Sequence, residues 1–353
     1  MQTLGARCLL LVALCLPPAC GASDDGGARG GDDTAGTADQ AKAPDAAGSL
    51  DWGTTDPNGA DAAVLDTNDT DDAGTDPGAT PDLAPDDTAT DHGASPDTGG
   101  GGTPWCKAGT QFVYVVNEEN HLMRFDVPSL TFKDLGTMAC ETGWLADTPF
   151  SMAIDRQAVA WVLYGDGKLF KVSTEDASCQ PTSFAVGQEG FTTFGMGFAT
   201  DVSGGFTETL YVSNAVYGAG SSSLGTISFP ALTLTEIAPT ESGIGSAELS
   251  GNGLGELWAF FPNGSLVAQV DKATGALWPK IPLPAATISD ARAWAFATWG
   301  GDFYLFFAGQ YDSSSSVYRV KKDGTFETLL TDTGWNITGA GVSSCAPTAP
   351  TTN

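Results

Sequence analysis

Five short runs rich in apolar residues recur from Phe112 onward: QFVYVV, VAWVLY, ETLYVS, ELWAFF and DFYLFF. Each carries an aromatic residue near its centre, at Tyr114, Trp161, Tyr211, Trp258 and Tyr304, and the intervals are 47, 50, 47 and 46 residues. Alternating apolar positions bounded by Gly, Asn and Asp turns read as β-strands, with almost no helical periodicity between them. A period in the forties with several short strands per unit is the signature of propeller blades, because one such unit cannot bury both of its faces alone.

Each aromatic strand is followed by a turn and a second strand: HLMRFDV, KLFKVST, LGTISF, SLVAQVD and VYRVKK. Turns such as Gly165-Asp166-Gly167 and Pro262-Asn263-Gly264 offer the positive φ that a tight hairpin requires. A more polar strand such as FETLL at 326–330 closes each unit as its outer edge. Ahead of the later aromatic strands lie small-residue runs, SMAID, FGMGFATD, AELSG and AWAFAT, suited to a crowded position beside a central channel. The first aromatic strand lacks such a predecessor, while the chain ends in ITGAGVSS, an inner-type strand with no aromatic strand after it. Joining the two gives an all-β, five-bladed propeller over 104–346, with four-stranded blades and a ring closed by the C-terminal strand. Radial closure protects the edges that an open sheet would expose. A monomer is expected. Residues 347–353 read as a disordered tail.

The N-terminal part is of another kind. Residues 1–20, MQTLGARCLLLVALCLPPAC, have a short n-region with Arg7 and an apolar run from Cys8 to Leu16, too short to span a bilayer but suited to a signal peptide. Pro17-Pro18-Ala19-Cys20-Gly21 resembles a bacterial lipobox, with Pro17 where Leu is usual. The resemblance implies lipidation at Cys20, with plain secretion as the alternative, and Gly21 after the cysteine favours the outer membrane or cell surface. Residues 21–103 hold 19 Asp and no Glu against Arg29 and Lys42, a net of −17. So little apolar surface cannot offset the entropy of ordering, and a disordered tether is expected. Asp66 to Asp72 alternates oxygen side chains as calcium loops do, but lacks the Gly and the bidentate Glu of an EF-hand. No basic patch exists to neutralise phosphates, which argues against nucleic-acid binding.

The segments TPFSMAIDRQAVAWVLYGDGKLFKV, FGMGFATD, AWAFATWGGDFYLF and ITGAGVSSCAPT, together with the leader and the style of the tether, resemble uncharacterised Asp/Thr-rich lipoproteins of myxobacteria with a β-propeller domain. The resemblance implies a lipid-anchored propeller and no particular activity.

Outside the leader the cysteines are Cys106, Cys140, Cys179 and Cys345, an even number suited to two disulfides in an oxidising compartment. Ring closure brings the chain ends together and so pairs Cys106 with Cys345, leaving Cys140 for Cys179.

Only His92 and His121 are present, which argues against a Ser-His-Asp triad or a multi-histidine metal site. No cofactor is expected. Asp155, Asp201, Glu248 and Asp290 lie on or beside inner strands, and convergence at the channel mouth would permit the two-carboxylate chemistry of a glycan hydrolase. The leading expectation is binding. Loops that precede the inner strands share a face with those between second and third strands, and that face would carry Trp144, Phe191, Tyr217, Trp294, Tyr311 and Trp335 with Glu141, Glu189 and Asp290. Rings beside polar groups suit glycan or peptide ligands.

Overall fold

The computed structural model describes residues 105–143, 148–216 and 220–350. The leader, the tether, Cys20, Trp144 and Tyr217 lie outside the described residues. Twenty strands fill the described part, arranged as five four-stranded antiparallel sheets. Blade 1 takes its first three sequential strands from the start of the domain, β1 (Val113–Asn117), β2 (His121–Asp126) and β3 (Thr131–Thr137). Blade 2 comprises β4 (Pro149–Ile154), β5 (Val159–Tyr164), β6 (Leu169–Ser173) and β7 (Cys179–Pro181). Blade 3 comprises β8 (Phe194–Thr200), β9 (Glu208–Asn214), β10 (Ser223–Ser228) and β11 (Thr233–Pro239). Blade 4 comprises β12 (Glu248–Gly251), β13 (Leu257–Phe261), β14 (Leu266–Val270) and β15 (Leu277–Pro282). Blade 5 comprises β16 (Ala291–Trp299), β17 (Asp302–Gly309), β18 (Ser316–Val320) and β19 (Phe326–Leu330). The last strand, β20 (Ile337–Val342), pairs antiparallel with β1 and supplies the inner strand of blade 1. The chain is a five-bladed β-propeller closed by its own C-terminus.

The inner strands β20, β4, β8, β12 and β16 abut one another in a closed ring. Their approach is close enough that backbone meets backbone. A Cβ built on Gly195 would lie 2.0 Å from the Ala247 carbonyl, and one on Gly251 would lie 2.4 Å from the Phe198 carbonyl. Inner-strand amides that face no further strand are met by hydroxyls from the next blade: Met196 N donates to Ser151 Oγ at 3.1 Å, and Thr298 N to Ser250 Oγ at 2.9 Å. These hydroxyls settle the unpaired-edge problem inside the ring.

The core is five apolar clusters, one at each junction between blades. The repeated aromatics belong to it. Tyr114, Trp161, Tyr211, Trp258 and Tyr304 are all buried. Three of them also tie down the segment before their strand: Tyr114 Oη donates to Gly109 O at 3.0 Å, Trp161 Nε1 to Asp155 Oδ2 at 3.0 Å and Trp258 Nε1 to Glu256 Oε2 at 3.1 Å. The repeat therefore marks packing.

Cys106 is bonded to Cys345 and Cys140 to Cys179, with Cα separations of 6.0 and 5.2 Å. Two details differ from expectation. In Pro262-Asn263-Gly264-Ser265 the left-handed residue is Ser265 (φ 45°), and Gly264 instead makes room for Ile244, whose Cβ would be 3.2 Å from an added Cβ. The segment read as a disordered tail from 347 onward is held at its start, where Gly300 N donates to Pro347 O at 2.7 Å.

Candidate functional site

All inner strands run in one direction, so the propeller has an entry face, where loops lead into them, and a terminal face, where they leave and where both ends of the domain lie. On the entry face each loop before an inner strand meets the hairpin between second and third strands. Gly165 N bonds Thr148 O at 3.1 Å, Ala215 N bonds Thr193 O at 2.8 Å, and Leu283 N bonds Ser265 O at 2.8 Å.

Where blade 5 meets blade 1, this face gathers a polar cluster beside aromatic rings. Arg292, at the start of β16, lies 3.6 Å from Glu118 Oε1 through Nη1. Its Nη2 donates to Asp312 O at 3.2 Å and to Asn336 Oδ1. Asn336 Nδ2 in turn donates to Glu118 Oε2 at 3.0 Å, and Glu118 N to Asn336 O. The hairpin carrying Asp312 also carries Tyr311, which is 94 % exposed. Next to Asn336 is Trp335, half-buried, with its ring 5.5 Å from that of His121; His121 Nδ1 is 2.9 Å from Asp134 Oδ2. A fixed guanidinium, an amide and two carboxylates beside exposed aromatic surface can meet hydroxyls or peptide groups while the rings cover apolar faces.

The other expected residues are dispersed. Trp294 is half-buried on β16 and packs toward blade 4. Glu141 and Asp290 are exposed, as is Glu189 on a 3-10 turn at Gln188–Gly190. Phe191 presents no ring to solvent. It is 1 % exposed and packs with Phe184 and Phe194 in the cluster between blades 2 and 3, which corrects its placement on the binding face: an apolar ring leading into an inner strand gains more from burial there.

The four carboxylates do not converge. Asp155 and Asp201 follow β4 and β8 at the terminal face, whereas Glu248 and Asp290 open or precede β12 and β16 toward the entry face. Asp155 Oδ1 accepts the amides of Gln157 and Val159, and Asp201 Oδ1 accepts Thr209 Oγ1 at 2.7 Å, so both serve their own turns. Among the described residues no three His, Cys, Asp or Glu side chains are gathered as a metal ion would need.

Glu248 is different. It is 2 % exposed, and its Oε2 accepts Ser151 Oγ at 2.8 Å from blade 2, across the inner strand of blade 3. Burial lifts its carboxyl well above the usual range, outweighing the hydrogen bonds from Ser151 and Met196. Because the folded-state value is the higher one, stability is fullest below the ordinary carboxylate range, where both states are protonated. It falls as the pH rises toward the folded value, since only the unfolded chain releases its proton freely. Glu248→Gln, neutral at every pH and still able to accept from Ser151, is expected to match the parent near pH 4 and to exceed it by a margin that widens as the pH rises to 7.5 in denaturant melts. A gap that does not grow with pH would show that burial does not raise this carboxyl.

The terminal face has its own lock. Arg156 donates from N to Glu208 Oε1 (2.9 Å), from Nε to Ser344 Oγ (2.9 Å) and from Nη2 to Thr200 Oγ1 (2.9 Å), while Ser344 Oγ donates to Glu208 Oε2 at 2.6 Å. Burial raises the Glu208 carboxyl against the opposing pull of Ser344 and Arg156. A nearby cleft lined by Asn252, Trp299, Asp302 and Thr348 has about 20 Å³, room for one water molecule.

No family model matches the chain, and no curated protein matches its sequence. Solved structures with a similar trace include virginiamycin B lyase from Staphylococcus aureus, at 13 % identity over 62 % of this chain and 68 % of that one, TM-score 0.36. A nidogen/laminin complex matches at 11 % identity over 66 % and 80 %, TM-score 0.41. A luciferin-regenerating enzyme matches at 12 % identity over 64 % and 74 %, TM-score 0.38. Likeness at this level transfers neither activity nor ligand.

Proposed function

We propose that the protein is an exported, lipid-anchored binding protein of the cell envelope, of the kind the Asp/Thr-rich lipoproteins represent, and that its entry face takes a glycan or peptide where blade 5 meets blade 1. The observation that carries the reading is the juxtaposition there of Tyr311 and Trp335 with the Arg292–Glu118–Asn336 cluster. Tyrosine, tryptophan and arginine gathered at one spot are the residue types in which binding hot spots are richest. Export is supported by the two disulfides, and anchoring by the cysteine that ends the leader.

The test has two arms. Glycan and peptide arrays probed with the full chain should yield a ligand, and Tyr311→Ala, at the ring that is almost wholly in solvent, should weaken it about tenfold or more without altering the melting curve. Uniform silence on both arrays would remove the binding reading. Cys20→Ser should abolish fatty-acid labelling and release the chain from membranes; persistent labelling would leave a secreted protein.

A further inference from the structure

The terminal face carries an apolar surface that the entry-face site does not use. Trp105, Val202 and Phe206 are each more than half exposed, and Leu254 nearly half. They are contiguous. Trp105 and Phe206 have ring centroids 5.1 Å apart. Val202 and Phe206 share the turn between β8 and β9, and Leu254 sits on the turn between β12 and β13; the two turns are joined by Gly204 N to Gly253 O at 2.9 Å.

The position of the patch says what covers it. Trp105 is the first described residue, so the 104 residues that precede it join the propeller at this spot. We infer that the Trp105–Val202–Phe206–Leu254 surface is a docking face for a phospholipid bilayer, seating these side chains at the boundary between headgroups and acyl chains. The inference rests on the anchored reading above for the membrane's being within reach. A single weak insertion becomes effective when a tether confines the domain near the surface, because the second contact is then intramolecular.

Charge does not drive it. The lysines around the patch are already engaged: Lys107 with Glu175 at 3.3 Å, Lys322 with Glu256 at 2.9 Å, and Lys272 Nζ with the Thr200 and Asp201 carbonyls at 2.8 and 3.0 Å. Docking should therefore resemble apolar interfacial insertion, where aromatic and aliphatic tips supply the affinity and anionic lipid adds little.

The experiment uses the full chain as Cys20→Ser, so that no acyl group contributes, with sedimentation on phosphatidylcholine vesicles titrated to millimolar lipid, where even the untethered contact is populated, in low and in 0.5 M salt. Partition is expected at both salt concentrations and should fall at least about tenfold in Val202→Ser/Phe206→Ser/Leu254→Ser. Val186→Ser, exposed on the opposite face, should leave it unchanged, and matching melting curves would show that the triple variant folds. No partition, partition insensitive to the triple substitution, or partition only to anionic vesicles at low salt would each overturn the docking face. So would a concentration-dependent dimer that the triple substitution abolishes, which assigns the patch to a second copy. Fatty-acid labelling of the parent tests anchoring separately, so failure of one reading is not failure of the other.

Discussion

Replacing Cys106 and Cys345 together by serine is expected to cost the propeller about 5 kcal/mol, near the upper end of what one disulfide contributes. The two cysteines are 239 residues apart in sequence, so the bond removes from the unfolded chain the freedom of a loop that includes nearly all of the domain. Cys140 and Cys179 enclose a separation of only 39, and their double replacement should cost about 4 kcal/mol on the same chain-entropy argument. Denaturant melts of the oxidised variants give both numbers. Equal or reversed costs would mean that native packing around each bond, and not loop length, sets its worth. The larger effect also has a second cause, because the segment holding Cys345 is pinned by Ser344 to Arg156 and Glu208, and fraying of that end unties three blades at once.

Gly195→Ala should be the most damaging single methyl group that can be added to the ring. The new carbon would sit 2.0 Å from the Ala247 carbonyl and 2.9 Å from Glu248 Cα, both backbone atoms of the neighbouring inner strand, so no side chain can swing aside. Relief requires moving β8 from β12, which also stretches the Glu248–Ser151 bond that passes across β8. A loss of about 3 kcal/mol or more is expected, at the top of the range for overpacked cores. Gly204→Ala on the exposed turn meets no atom within 4 Å, though its φ of 69° still strains an alanine, and should cost about 1 kcal/mol. Comparable losses in the two variants would contradict the close ring.

The ring was legible in the sequence because its periodicity is carried by residues whose burial is obligatory. An aromatic every 46 to 50 residues, an inner strand of small residues before it and an orphan inner strand at the end leave little choice but closure of β20 on β1. The disulfide pairing followed from that closure. The site was less legible. Arg292, Glu118 and Asn336 come from three segments with no shared pattern, and only the register of the closing strands, with Val116 opposite Gly339, places Glu118 beside Asn336. Tyr311 and Trp335 stand out in sequence as rings in polar loops, and the structure leaves the first exposed and the second half-buried, whereas Phe191 looks the same in sequence and is core. Its fate turns on where the chain enters β8, which composition does not encode. Glu248 stood out as an acid in an inner strand, but its partner Ser151 lies 97 residues away on a strand that is not its neighbour.

The pairing of β1 with β20 also sets an order of events during biogenesis. The first strands of blade 1 are made early, yet the strand they require is among the last to be made. At ordinary elongation rates of about 5 to 20 residues per second, β1 waits roughly 10 to 50 s for its partner. Throughout that interval the edge of β1 is an unsatisfied template, and the most non-local contact in the domain has to form last. A ribosome that stops after Leu330 but before Ile337 releases a chain whose four complete blades can stack but cannot close, with a bare strand edge on β1 and no Cys345 for Cys106 to bond. Synthesis through β20 thus doubles as a quality check on the product: only a chain that includes this strand can hide the edge of β1 and oxidise Cys106 and Cys345 to each other.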